Sequence, residues 1–291
     1  MTSPAFKFDF FSDWIALLRN ALTSMGYDIA GFSDEKIQTT YFNAKKRLIE
    51  PLRRSVLKSR EFTCPAEREV GLEQLEKEIQ NGSDLRPYLS KKIIDTDYND
   101  NLLNDWGIYH LHLGENIEGS GFIERKGPVL FVRFDKKNAY FIDIRGHNSW
   151  EEQRFIQIIH DNWPQTIDEF RYPAETTLTY HATDNDVNNL RSAKINSPIG
   201  VSDGTIYSGI GGGFASNGVS IDVVSLMSET KRKIIGWQKS IQVDVERLVK
   251  DAESKGVKFS SEHQISFYFV DSKAYAEEKN GLFYFELGVL Y

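Results

Sequence analysis

Two histidines two positions apart, His110 and His112, with Arg145 and His147 some thirty residues later, carry the side chains best suited to chemistry. Three of the six histidines fall between residues 106 and 147. Residues 107–114 alternate as a strand does, with Tyr109, Leu111 and Leu113 on one face and Ile108, His110 and His112 on the other. Two imidazoles on one strand face stand about 7 Å apart, two steps of strand rise. That separation suits a shared acid–base task, half of a metal site, or a polar pocket without chemistry. A bare His-x-His lacks the full ligand set of known zinc patterns, so no metal or other cofactor is assigned.

The elements that must position these groups follow from patterning. Residues 129–134 (VLFVRF) and 139–145 (AYFIDIR) are nearly continuous apolar runs joined by Asp135–Asn138, which predicts a hairpin of two central strands. Asp143 and Arg145 are read onto the face of Phe141, where a buried charge needs a partner. They form either a structural ion pair or, with His147, part of a cluster facing His110 and His112. The loop 114–128 is glycine-rich and is expected to be flexible; its Glu124, Arg125 and Lys126 offer a general base or an anion contact, or simply a solvated charge run.

Upstream, residues 9–26 have helical spacing, with Phe11, Trp14, Leu17, Leu18 and Leu22 as the apolar stripe and Gly26 as the stop. A second helix is predicted from Asp34 to about Ser59, kinked or divided at Pro51. Within it lie Lys45, Lys46, Arg47, Arg53, Arg54, Lys58 and Arg60 against a single acid, Glu50, with Leu48, Ile49, Leu52 and Leu57 as the buried side. This stripe either binds phosphates of a nucleic acid or pairs with the acidic segment 67–78. Residues 65–80 predict a helix closed by Asn81–Gly82, and a short helical piece follows near 84–95.

Downstream, Ser149-Trp-Glu-Glu152 has the form of a capping box, predicting a helix from there to about Trp163. His160 near its end is read as structural. A short strand end is predicted at 178–181, a helix capped by Thr183 or Asp184, and a turn at Asp203–Gly204. The glycine-rich stretch 209–218 supplies Gly211, Gly212, Gly213 and Ser216 as candidate anion-binding residues; it lacks a P-loop lysine and the third glycine of a dinucleotide fingerprint. The alternative is a loop whose backbone angles need glycine. A helix of ~35 residues follows to Ser254, about 50 Å long, offering a protein-partner or homo-oligomer surface. The chain closes with a strand 265–270, a helix 272–279 and a strand 282–287.

The 291 residues are 40% hydrophobic with a net charge of -7, which excludes global disorder and any general attraction to polyanions. One cysteine, Cys64, permits no internal disulfide. With no basic and apolar leader and no run long enough to cross a bilayer, the expectation is a soluble cytoplasmic protein without a membrane partner.

The expected fold class is α+β: a helical N-terminal region at 1–104, then at 105–291 a mostly antiparallel sheet with helices against one face. A helical part followed by a sheet bearing His and Arg resembles, in fold and site chemistry but in no shared motif, the metal-independent endoribonucleases of the barnase-like and toxin type. That resemblance implies a nucleic-acid-directed toxin or defence factor, with His110 or His112 as base, His147 as acid and Arg145 as charge stabiliser. Two other classes stay open: a non-catalytic interaction module, and a phosphate- or nucleotide-processing enzyme built on the glycine loop.

Overall fold

The computed structural model describes residues 5–125, 127–147, 149–257, 262–270, 272–279 and 284–291. In chain order the elements are β1 (Ala5–Phe8), α1 (Phe10–Ser24), α2 (Asp34–Arg47), β2 (Ser55–Lys58), α3 (Glu69–Asn81), α4 (Asn101–Trp106), β3 (Tyr109–His112), β4 (Val129–Phe134), β5 (Asn138–Arg145), α5 (Arg154–Asn162), α6 (Asp184–Ser192), β6 (Ile199–Gly200), β7 (Ile206–Tyr207), α7 (Ile221–Ser254), β8 (Glu262–Val270), β9 (Lys273–Glu278) and β10 (Tyr284–Val289). The fold is α+β. No helix among the described residues is long and apolar enough to cross a membrane.

The chain divides into two units: residues 1–42 with 223–291, and residues 43–222. The division expected near residue 104 is therefore displaced, because both chain ends build one unit. The N-terminal part is also not purely helical, since it supplies an edge strand to each of two four-stranded sheets.

In the terminal unit the sheet order is β1-β8-β9-β10, with β1 parallel to β8 and the rest antiparallel. α1 begins where the Asp9 carboxylate accepts from the Ser12 amide, and it buries Phe10, Trp14, Ile15, Leu18 and Leu22. The buried stripe is thus turned from the one containing Phe11 and Leu17. The helix predicted over 272–279 is the strand β9. Ala274, Ala276 and Glu278 are buried there, while Lys273 and Glu277 are exposed and Tyr275 half-buried, the period of two that pairing with β8 and β10 imposes. Leu282 lies outside the described residues, and the last strand starts at Tyr284.

The central unit carries the sheet β2-β5-β4-β3, with β2 parallel to β5 and the others antiparallel. β4 and β5 are central, as their continuous apolar runs imply. Such strands need cover on both faces, so the expected one-sided packing is corrected. One face meets Leu72, Leu75 and Ile79 of α3. The other meets Trp106 of α4, Phe155, Ile156 and Ile159 of α5 and Val187 of α6.

Three local expectations fail for identifiable reasons. The helix predicted through residue 59 ends at Arg47, since Pro51 cannot continue it, and Ser55–Lys58 pairs with Asn138–Phe141 as β2. Leu52 and Leu57 are consequently 38% exposed. Ser149 does not cap α5: the Gln153 amide is satisfied by the Asp184 carboxylate, and the helix begins at Arg154. Residues 178–181 form no strand. The Thr183 cap is present as a full capping box with Asp186, and Gly204 at φ 87° turns β6 into β7.

Candidate active site

β3 alternates as its sequence requires. Leu111 and Leu113 enter the core under α3 and Ile108 enters the opposite core, so His110 and His112 emerge on the α5 side. Their ring centroids are 6.2 Å apart. A bulge then decides the company they keep. β5 pairs Phe141 with Val132 but Asp143 with Phe131, so Ile142 is the extra residue. The bulge moves Asp143 and Arg145 off the Phe141 face and onto the face of Phe131 and Val129, which are the partners of His110 and His112.

His147, just past β5, is brought to the histidines: its ring lies 5.3 Å from His112 and 5.7 Å from Trp150. Arg145 is not. Its Nε donates to Asp143 at 2.9 Å, Arg154 donates to the same carboxylate oxygen at 3.0 Å, and Arg145 does not line the cleft that holds the imidazoles. Of the two alternatives for Arg145, the geometry has the ion pair with Asp143, outside the lining of the cleft.

The guanidinium in the cleft belongs to Arg125. Its Nη1 is 3.0 Å from His112 Nε2 and its Nη2 donates to the Leu89 carbonyl at 2.8 Å. The loop that carries it is pinned, not loose. Ile123 is 2% exposed in the α3 core, bridges Ile117, and donates its amide to Pro87. Glu124 accepts from Asn116 at 3.3 Å, and Lys126 lies outside the described residues. Sequence patterning offers Arg125 as an anion contact of the loop but does not aim it at the histidines, because a loop has no period to set its direction.

His110, His112, His147, Arg125, Trp150 and Lys92 line one open cleft of about 360 Å³, with Asp100, Tyr98 and Arg191 at its wall. Asp100 does two jobs. One oxygen caps α4 by accepting from the Leu103 amide at 3.0 Å, and the other lies 3.7 Å from His110 Nδ1. That nitrogen is sealed from solvent without a hydrogen bond, so any chemistry of this ring falls to Nε2. Trp150 sets its ring against His110, centroids 4.5 Å apart. Arg191 is committed to structure: it pairs with Asp105 at 2.9 Å, donates to the Trp150 carbonyl and lies over Trp106.

Burial pushes the His112 imidazole down to about 3, with Arg125 adding to it. Burial also lowers His110, against the opposing pull of Asp100. Arg125 can only donate, so His112 Nε2 is an unprotonated acceptor and the neutral ring holds Arg125 in place. Two strand imidazoles are thus neutral at neutral pH beside an exposed third. Comparison with known protein families, with curated proteins and with solved structures found no match to this chain. The side chains of the cleft offer a neutral imidazole beside a carboxylate, a second imidazole near it, and a fixed cation. No group of three or more His, Cys, Asp or Glu among the described residues has the geometry of a metal site.

Protonation of His112 has a direct consequence for stability. Its folded value is depressed, so between the unfolded value near 6.5 and about 3 the unfolded chain binds the extra proton. Stability is then full above 6.5 and falls on acidification through that window, by about 1.4 kcal/mol per pH unit at most. The His112→Asn protein is expected to lose less stability than wild type between pH 6.5 and 4.5, read as midpoints of urea unfolding.

The other sequence-assigned residues lie elsewhere. Lys46 donates to Gly211 O, Ser220 and Asp222; Arg47 is 2% exposed and donates to the Asp95 and Tyr98 carbonyls; Lys58 pairs with Glu76. Arg60 holds Asn162 and the Asp161 carbonyl. Lys45, Arg53 and Arg54 sit at the other end of the sheet. The stripe is split because its helix is replaced by a turn and a strand: Arg47, Lys58 and Arg60 are held in place elsewhere, while Lys45, Lys46, Arg53 and Arg54 line two adjoining depressions. In the glycine loop the amides of Gly211, Gly212 and Gly213 donate to the carbonyls of Asp105, Gly209 and Asn104. These amides are not presented to an anion. Gly211 has no Cβ because the Gly107 nitrogen and Leu103 carbonyl occupy its place, and Gly212 and Gly213 have positive φ; exposed Ser216 does not line the cleft. The loop is glycine-rich for packing.

Proposed function

We propose that the cleft is an acid–base site acting on RNA by metal-independent phosphoryl transfer. The observation that carries this reading is the convergence of three imidazoles and a fixed guanidinium in one open hollow. Cleavage needs a base for the 2′-hydroxyl, an acid for the leaving oxygen and a cation for the developing negative charge. His110, whose buried Nδ1 has the Asp100 carboxylate 3.7 Å away, takes the 2′-proton. The 2′-oxygen bonds to phosphorus as the bond to the 5′-oxygen breaks. His147 gives its proton to that leaving oxygen, so the products are a 2′,3′-cyclic phosphate and a 5′-hydroxyl. Arg125 faces the charged phosphoryl oxygens, and His112 holds Arg125.

The lowered His110 basicity supports this division, because a base that burial keeps neutral at neutral pH needs no deprotonation before it acts. The test uses a labelled single-stranded RNA in the presence of a chelator. Cleavage with a cyclic phosphate end is expected, and none at a position where the 2′-hydroxyl is replaced by hydrogen. Cleavage of that deoxy position, or none of the RNA, removes the reading.

A further inference from the structure

We infer that the hairpin end of the central sheet is a second, separate binding site, a groove for the phosphate backbone of a single-stranded nucleic acid. The inference rests on the reading that the partner is a nucleic acid. Two depressions of about 410 and 620 Å³ meet there, sharing Arg54 and Lys136. The larger one is lined also by Arg53 and Lys137, with no carboxylate among its described lining residues. In a chain of net charge -7 such a concentration is against the average.

The groove is built around one rigid cation. Arg54 is 7% exposed, and its guanidinium donates to the Asp135, Glu50 and Leu52 carbonyls at 2.6, 2.7 and 3.3 Å. These bonds go to neutral carbonyls; the Glu50 and Asp135 carboxylates, which also line the smaller depression, act on the charge through space without bonding to it. The nearby Asp135 carboxylate is engaged in the turn, accepting from the Lys137 and Asn138 amides and the Tyr140 hydroxyl. Arg53, Lys136 and Lys137 are exposed around it.

Aromatic rings stand among the cations. Arg54 lies over Phe134 at 5.3 Å, and Tyr109, 5.6 Å from Phe134, lines the smaller depression. Cations interleaved with half-buried rings suit phosphates whose bases are free to stack, a single strand in preference to a lipid headgroup surface. The site is distinct from the histidine cleft. Tyr109 and His110 point to opposite faces of β3, and from Val129, beside His112, to Phe134 is about 17 Å of strand.

The test measures fluorescence anisotropy of a short labelled 2′-O-methyl RNA, which cannot be cleaved, over a range of salt. A protein carrying Arg53→Glu, Lys136→Glu and Lys137→Glu is expected to bind at least tenfold more weakly. Its log–log salt slope should be shallower by about 2, from about 0.7 per cation lost on a single strand. Lys136→Arg with Lys137→Arg should bind as wild type does, and thermal unfolding checks that each protein is folded. Unchanged affinity in the charge-reversal protein overturns the inference, as does binding to anionic phospholipid vesicles with none to the oligonucleotide. Because the probe has no attacking hydroxyl, an inactive cleft would remove the ribonuclease reading without altering this readout.

Discussion

Arg125→Ala is expected to lower the rate of RNA cleavage by about 10²–10³-fold, the usual loss on removing one fixed donor from a developing charge. The guanidinium is held at two points, His112 Nε2 and the Leu89 carbonyl, so it need not reorganise as charge builds. Arg125→Lys is expected to recover little, since one ammonium cannot hold both contacts and face a phosphoryl oxygen in the same fork. His110→Ala and His147→Ala should each lower the rate by about 10²–10⁴-fold by removing base and acid. Arg145→Ala is the control, since it leaves the cleft lining intact and should cleave at near the wild-type rate. Single-turnover rates at saturating protein separate these outcomes from weaker binding. An Arg125→Ala protein as fast as wild type, beside a slow Arg145→Ala protein, would return the charge role to Arg145.

The second large effect is on folding. Asp105 and Arg191 form an ion pair whose side chains are 9% and 6% exposed, with Arg191 over the Trp106 ring and donating to the Trp150 carbonyl. Removing one partner strands a charge: Arg191→Met is expected to destabilise by about 3–5 kcal/mol, measured by urea unfolding. Burial already raises the Asp105 carboxyl against the pull of Arg191. Without that pull its folded value rises further, so the variant gains relative stability below that value and loses it as pH rises. The deficit against wild type should therefore shrink on acidification. Replacing both residues, as Asp105→Leu with Arg191→Met, should recover much of the loss, because no unpaired charge remains. A deficit that is constant with pH would show that packing on Trp106, not the charge, is what Arg191 contributes.

Part of this arrangement could be read from the chain. Strands 109–112, 129–134 and 138–145 follow from alternation and continuous apolar runs, because burial on one or both faces of a sheet imposes those patterns locally. The Thr183 cap and the Gly204 turn follow from side-chain and backbone chemistry within a few residues. The helix read over 272–279 shows the limit: residues with good helix propensity became a strand because two neighbours on either side offered backbone partners. The basic helix read through residue 59 shows it again: Pro51 ends the helical run, and Ser55–Lys58 beyond it is taken by pairing with β5.

For the candidate site, the sequence by itself determined that His110 and His112 share a face and that His147 follows the third strand's end. Only the tertiary structure decided which cation joins them. One inserted residue, Ile142, reversed the facing of Asp143 and Arg145, and the pinning of Ile123 in a core drew Arg125 inward. A bulge and a loop direction depend on contacts between segments far apart in the chain, and such contacts leave no period in the residues that make them.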